Sequence, residues 1–184
     1  PIDPSVDVAR YERFAGELPF LFKVLAADQP LSIQAHPDRE KAREGYEREE
    51  QAGVPIDSPQ RNYKDRNHKP EIICALSPTW LLSGFRPPEQ ILELLQRYQA
   101  RELLDLSDPL RDQLAADQGL ARFYRSIMEL PEDNKRNTVT QVVTAAEKLG
   151  RKAPEARWIL RAAQFFPQDF GIVSLLVLNL VHLA

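Results

Sequence analysis

The chain has 184 residues, 43% of them hydrophobic and 28% charged, a composition that suits one soluble domain with a real core or two small lobes. Its 24 basic and 27 acidic side chains leave a formal net charge of −3, which excludes a general electrostatic attraction to nucleic acid or to an anionic membrane. The single cysteine, Cys74, excludes an internal disulfide framework and a multi-cysteine metal site, and it fits a reducing compartment such as the cytoplasm.

No basic stretch leading into an apolar one opens the chain, so no signal peptide is read, and the first residue, Pro1, suggests a processed or excised piece. The first zone, roughly residues 18–86, reads mainly as strands. Residues 19–27 are apolar with Lys23 inside them; Lys23 either lines a pocket or sits on a solvated edge. Further on, Leu31, Ile33 and Ala35 point one way while Ser32, Gln34 and His36 point the other, the period-two signature of a strand with one apolar face. A polar face of Ser, Gln and His is not what solvent exposure alone selects, since Lys and Glu serve that purpose.

Residues 38–52 change to a charged helix, started by Pro37 and Asp38 and stopped by Gly53 and Pro55. Its charges, including Glu40, Lys41, Arg43, Glu44, Glu47 and Arg48, are expected on a solvated face. A polar loop over 55–69 leads to two more predicted strands, 70–76 and 79–85. Cys74 is expected to be a small buried strand residue and Trp80 a packing residue.

The second zone, 87–166, is predicted helical. Ile91, Leu94, Leu95 and Tyr98 form one stripe, and Leu120, Phe123, Tyr124 and Ile127 a second. Val139, Val142, Val143, Ala146 and Leu149 form a third, and Ile159, Leu160, Ala163 and Phe166 a fourth; all four are read as core. In the apolar tail, 170–184, Asp169 is placed to cap a short helix and residues 178–183 to form a strand in need of partners. A bilayer span needs roughly 20 apolar residues, so this shorter run is assigned to the core.

Chemistry centres on few residues. Gln34 and His36 leave the same face of their predicted strand, roughly 7 Å apart along it, and a second strand carrying Glu71 can bring a carboxylate beside them. Imidazole, carboxylate and amide oxygen together suit a borderline cation such as zinc, with a position left open for water or substrate. Spacing alone leaves a purely structural explanation of this pair standing. Of the other histidines, His68 reads as a hydrogen-bonded loop residue and His182 as a structural strand residue. Arg86 reads as an ion-pair partner rather than a phosphate clamp.

The surrounding stretches sharpen this. Leu18-Pro19-Phe20-Leu21-Phe22-Lys23-Val24-Leu25 and Leu31-Ser32-Ile33-Gln34-Ala35-His36-Pro37-Asp38 closely resemble the signature of type I phosphomannose isomerases. So do Asn62-Tyr63-Lys64-Asp65, Asn67-His68-Lys69-Pro70-Glu71 and Gly84-Phe85-Arg86, all in the family's order. The resemblance implies an α+β fold, a partial cupin-type β core with an inserted, mainly helical domain. On that basis residues 1–86 are the cupin-type segment with the zinc ligands, 87–168 the helical domain and 169–184 the return to the β core. It also implies one zinc ion per chain held by Gln34, His36 and Glu71, with Ser32 and Lys69 in the sugar-phosphate pocket. Ser32 shares a predicted face with Gln34 and His36, and the Lys69 ammonium offers three donors and a charge. Lys69 is also the candidate catalytic residue, while the base that takes the proton is not assigned.

The implied activity is interconversion of mannose 6-phosphate and fructose 6-phosphate by a cytoplasmic monomer, with zinc as Lewis acid and no nucleic-acid or membrane partner. The family's Glu-Leu-Trp and Gly-Ala-His-Pro elements, and its later Gly-Ala-Asn-Glu-Pro-His-type stretch with the fourth ligand, do not occur in this sequence. A chain truncated at both ends is therefore expected, with little isomerase activity and weak zinc affinity by itself. Two rivals remain. A different metal-dependent cupin, such as an oxygenase, needs two His and a carboxylate, and only His36 is well placed. The other is a non-catalytic sugar- or partner-binding cupin-like module.

Overall fold

The computed structural model describes residues 20, 22–112 and 116–184. Among these residues the chain is α+β, with seven α-helices and one two-stranded antiparallel sheet. Helix α1 (Arg39–Gln51) starts on Asp38, whose carboxylate accepts the Lys41 N–H at 2.8 Å. It stops before Gly53, which takes a φ of 67°. The six charges expected on a solvated face are all exposed, and the inward side is narrow, with only Ala42 and Gly45 buried.

Strand β1 (Thr79–Phe85) pairs with β2 (Leu178–Leu183), running from Thr79 opposite Leu183 to Phe85 opposite Leu178. Between Leu82 and Phe85 the register slips, so that Ser83 and Gly84 face Asn179 alone. This is a β-bulge, and Gly84 meets its left-handed requirement with a φ of 67°. The Asn179 amide nitrogen donates to the carbonyls of Ser83 (3.2 Å) and Phe85 (2.8 Å) at this bulge.

Between the two strands lie α2 (Pro88–Arg97), α3 (Arg101–Asp105), α4 (Ala116–Met128), α5 (Glu132–Leu149), α6 (Pro154–Phe165) and α7 (Ser174–Val177), with 3-10 turns at Asp108–Arg111, Gly150–Lys152 and Phe170–Val173. Proline in the first turn of α2 and α6 fits a position whose N–H has no helical partner. Tyr98, Phe123, Ile91, Leu95, Leu103, Ile127, Ile159 and Leu176 fill the core. The first predicted stripe is buried in full, and the second and third are buried or packed against the core. The fourth differs at one end: Phe166 follows the last residue of α6 and is 39% exposed.

The apolar tail is core, as its length suggested. Asp169 accepts the Gly171 N–H at 2.6 Å and opens the 3-10 turn Phe170–Val173; from Ile172 to Leu178 every residue is buried. Its strand pairs with β1, which supplies the partner the sequence left open.

Two predicted strands do not form. Residues 31–36 and 70–76 carry no strand pairing among the described residues, and Ile72 and Leu76 are 97% and 87% exposed. Period-two patterning marks a face suited to burial, but a strand exists only where a neighbour takes up its backbone donors and acceptors. Cys74 is consequently exposed, not buried. Residues 22–27 are likewise unpaired, while Pro19 and Leu21 of that predicted run lie outside the described residues.

Candidate metal centre

Helix α1 organises the site. At its N-terminal end, Asp38 follows His36 by one proline, so the cap that starts the helix also restrains the chain next to that imidazole. At its other end, Glu49 takes three donors from the returning loop. Oε2 accepts the Tyr63 N–H at 2.8 Å, and Oε1 accepts the Asn62 backbone N–H at 3.2 Å and its side-chain amide at 3.3 Å. The Tyr63 N–H, aided by Asn62 and the Arg61 charge, holds the Glu49 carboxyl below its ordinary value against the opposing effect of desolvation.

Arg61 completes the junction. Its side chain is only 1% exposed and lies 2.7 Å from Glu50 and 3.6 Å from Glu49. It donates to the carbonyls of Val54 (2.6 Å) and Tyr63 (2.8 Å) and stacks over the Tyr46 ring at 4.8 Å. The Tyr63 ring packs against Gly45 and leaves no room there for a Cβ.

From Tyr63 the chain returns past Lys69 to Glu71, whose Oε2 comes within 3.3 Å of His36 Nε2. The two donors thus meet without the strand pairing that the sequence suggested would join them. Both are open to solvent, at 30% and 50% side-chain exposure, so a ligand can reach them. Among the described residues no three His, Cys, Asp or Glu side chains cluster to hold a metal. The His36–Glu71 pair is the part of the predicted set that the structure brings together. Ser32 and Gln34 lie exposed on the segment leading to His36. Within that segment the Ile33 side chain lies near Gly171 of the tail turn and stays 46% exposed.

Lys69 Nζ is 3.4 Å from Asp65, and both side chains are about half exposed (48% and 44%). Such a pair is weak and exchanges readily for another anion. His68 is half-buried in the loop. His182 is stacked on Trp80, with ring centroids 4.5 Å apart, and Trp80 also packs on Trp158 at 5.5 Å, so both keep the packing roles expected of them. Arg86 pairs with Glu155 at 3.2 Å, the ion-pair role anticipated for it. A shallow groove of about 450 Å³ is lined by Phe85, Leu120, Ala121, Tyr124 and Arg125 and by none of the candidate residues.

The roles of Glu49, Arg61 and Gly45 escaped the sequence reading. Each sits in a stretch that looks merely polar, and only the fold-back of the loop onto α1 buries the Arg61 side chain.

Residues 5–88 match the model of the phosphomannose isomerase type I catalytic domain. The mannose-6-phosphate isomerase of Escherichia coli K12 is 36% identical over 173 residues, an alignment that takes in 91% of this chain and 42% of the relative. The crystal structure of mannose 6-phosphate isomerase from Salmonella typhimurium bound to fructose 6-phosphate and zinc superposes with a TM-score of 0.77 at 36% identity. That match covers 95% of this chain and 43% of the other. The chain therefore spans less than half the length of these relatives. Structures of the Salmonella enzyme have also been solved with two lysines and one glutamate individually replaced by alanine. In that enzyme the three residues stand at the same separations as Lys23, Lys69 and Glu71 do here.

Proposed function

We propose that this chain belongs to the type I phosphomannose isomerase family and supplies the metal- and sugar-facing part of an enzyme interconverting mannose 6-phosphate and fructose 6-phosphate. The observation that carries this reading is the approach of His36 to Glu71 at 3.3 Å, because it joins two separate stretches that resemble the family's signature.

The donor set fits zinc. An imidazole nitrogen and a carboxylate oxygen are both among its usual ligands, and both are reachable from solvent here. Gln34 would be the third ligand, through its amide oxygen. Bound there, zinc would act as a Lewis acid that stabilises negative charge on a substrate oxygen. The remaining work falls to side chains. Ser32 would donate its hydroxyl to a sugar or phosphate oxygen. Lys69 would exchange its exposed partner Asp65 for the substrate, adding a positive charge and up to three hydrogen bonds. As the catalytic residue, it would hold the reacting oxygens while a proton moves between C1 and C2 through an enediol. That step also needs a base. Its matching separation in the Salmonella enzyme supports adding Lys23 to the pocket, on the pocket side of the two alternatives its sequence position allowed.

The finer architecture belongs to the same proposal. A cupin-type β part over 1–86, a helical insertion over 87–168 and a return over 169–184 are supported by the β1–β2 pairing, which brackets the helices. The natural protein would work as a cytoplasmic monomer on a sugar phosphate. No helix among the described residues is long and apolar enough to cross a membrane.

The test uses the protein as its gene encodes it. Zinc at about one per chain and turnover of fructose 6-phosphate in a coupled assay are expected. Glu71→Ala should lose the metal and cut kcat/KM by about 100-fold or more. Lys69→Ala should keep the metal and lose turnover. A protein that holds no zinc and turns over no sugar phosphate would leave the non-catalytic binding module in its place.

A further inference from the structure

We propose that Glu49 and Arg61 are positioning residues for the metal centre, acting as a latch that sets where the chain carrying Lys69 and Glu71 begins its return towards His36. This inference rests on the reading of His36 and Glu71 as metal ligands.

The segment from His36 to Glu71 is a closed excursion whose two ends lie 3.3 Å apart. Helix α1 carries the chain away from His36 by roughly 20 Å, at 1.5 Å per residue. The chain must then come back over the same distance. Nothing periodic guides it, since residues 52–78 contain neither helix nor paired strand. What fixes the route is the contact between the end of α1 and residues 61–63. Glu49 holds two consecutive backbone N–H groups, and Arg61 locks the carbonyls of Val54 and Tyr63. The Tyr63 ring against Gly45 blocks sliding along the helix.

The latch controls the length of the free arm. With residues 61–63 anchored, and Arg66 stacked over the Tyr46 ring at 4.9 Å, the chain from Tyr63 to Glu71 is an arm of roughly 27 Å at full extension. Without it, the whole stretch from the end of α1 is free. A longer tether places Glu71 near His36 less often and less accurately. Closure of a free arm of about 20 residues instead of about 8 is roughly fourfold less probable, and metal affinity falls with it.

The burial pattern favours this over a plain stabilising role for α1. The helix buries only Ala42 and Gly45, so it contributes little to the apolar core. Its one elaborate set of polar contacts is aimed at the loop that leads to Lys69 and Glu71.

The experiment measures Zn²⁺ affinity by chelator competition, and melting temperature after metal removal, in the protein as its gene encodes it. Glu49→Gln keeps the shape and loses the charge and one acceptor. Gly45→Ala improves helix propensity but drives a methyl into the Tyr63 ring. Both should weaken zinc binding by about fourfold, with the metal-free melting temperature lowered no further than by Val142→Ala. Val142 is a core residue with no contact to the latch, and its variant should bind zinc like the parent. Glu71→Ala serves as reference. If it abolishes zinc binding while either latch variant stays within about twofold of the parent, the positioning role is overturned and the site stands. Equal loss of affinity in Val142→Ala also overturns it, since general destabilisation then accounts for the effect. If Glu71→Ala leaves zinc affinity unchanged, the failure belongs to the site itself.

Discussion

Arg86 and Glu155 form an ion pair at the junction of sheet and helices, with Nη2 3.2 Å from Oε1 and the side chains only 12% and 11% exposed. Arg86 follows the last residue of β1, and its own N–H donates to Val177 just before β2. Glu155 lies in the first turn of α6. The pair thus ties the strand end to the helix that packs behind it. Removing one partner leaves the other charge buried and uncompensated, so Arg86→Met should cost about 3 kcal/mol in chemical denaturation. Arg86→Met combined with Glu155→Leu should recover most of that loss. Equal and additive losses would argue that the two residues act separately.

Tyr98 lies in the same buried region. Burial first, and the Glu155 charge second, push its hydroxyl up to about 12 from an ordinary 10. Because folding raises this pKa, its contribution is complete below pH 10 and is lost as the pH rises towards 12. The stability difference between the parent and Tyr98→Phe should therefore be flat up to pH 10 and shift in favour of the phenylalanine above it. A difference that stays flat through pH 12 would contradict the burial argument.

Glu49 gives the opposite dependence. Its folded-state pKa is depressed below 4.5, chiefly by the Tyr63 N–H. The stabilisation it provides is present above that ordinary value and is lost as the pH falls through the folded-state pKa. Parent and Glu49→Gln should differ in melting temperature at neutral pH and converge in acid.

The bulge predicts a third pattern. Gly84→Ala forces an alanine to a φ of 67° and should cost about 1–2 kcal/mol. Asn179→Leu strips two carbonyls of their donor and should cost about 1–2 kcal/mol. Since both act on the same turn, the double variant should lose less than the sum, as measured by a double-mutant cycle.

Residues 1–184 expressed alone should show at most a small fraction of the natural protein's turnover of fructose 6-phosphate. The chain spans less than half the length of the mannose-6-phosphate isomerases it resembles, and among its described residues no three His, Cys, Asp or Glu side chains cluster to hold a metal. Near-normal turnover in a coupled assay would contradict this.

Much of the helical part was legible because its signals are local. Asp38 caps α1 and Asp169 caps the tail turn, each through a side chain two or three positions from its donor. The stripe Ile91, Leu94, Leu95 and Tyr98 faces inward because periodicity fixes which residues share a face. Strand β2 was legible as an apolar run, and its partner β1 was predicted separately. Their pairing across the whole helical zone was not, since no local feature of either strand encodes its neighbour. The strands predicted at 31–36 and 70–76 failed for the same reason. Their patterning was read correctly as sequence, but pairing is a property of two segments.

The candidate site divides along the same line. By itself the sequence named the candidates, Ser32, Gln34, His36, Lys69 and Glu71, because residue type and resemblance to a family's stretches are carried in the order of residues. Only the tertiary structure decided that His36 meets Glu71, that Lys69 rests on Asp65, and that a buried Arg61 and Glu49 hold the returning loop to α1. Those contacts depend on where an irregular chain folds back, and the path of such a chain is set by partners distant in sequence.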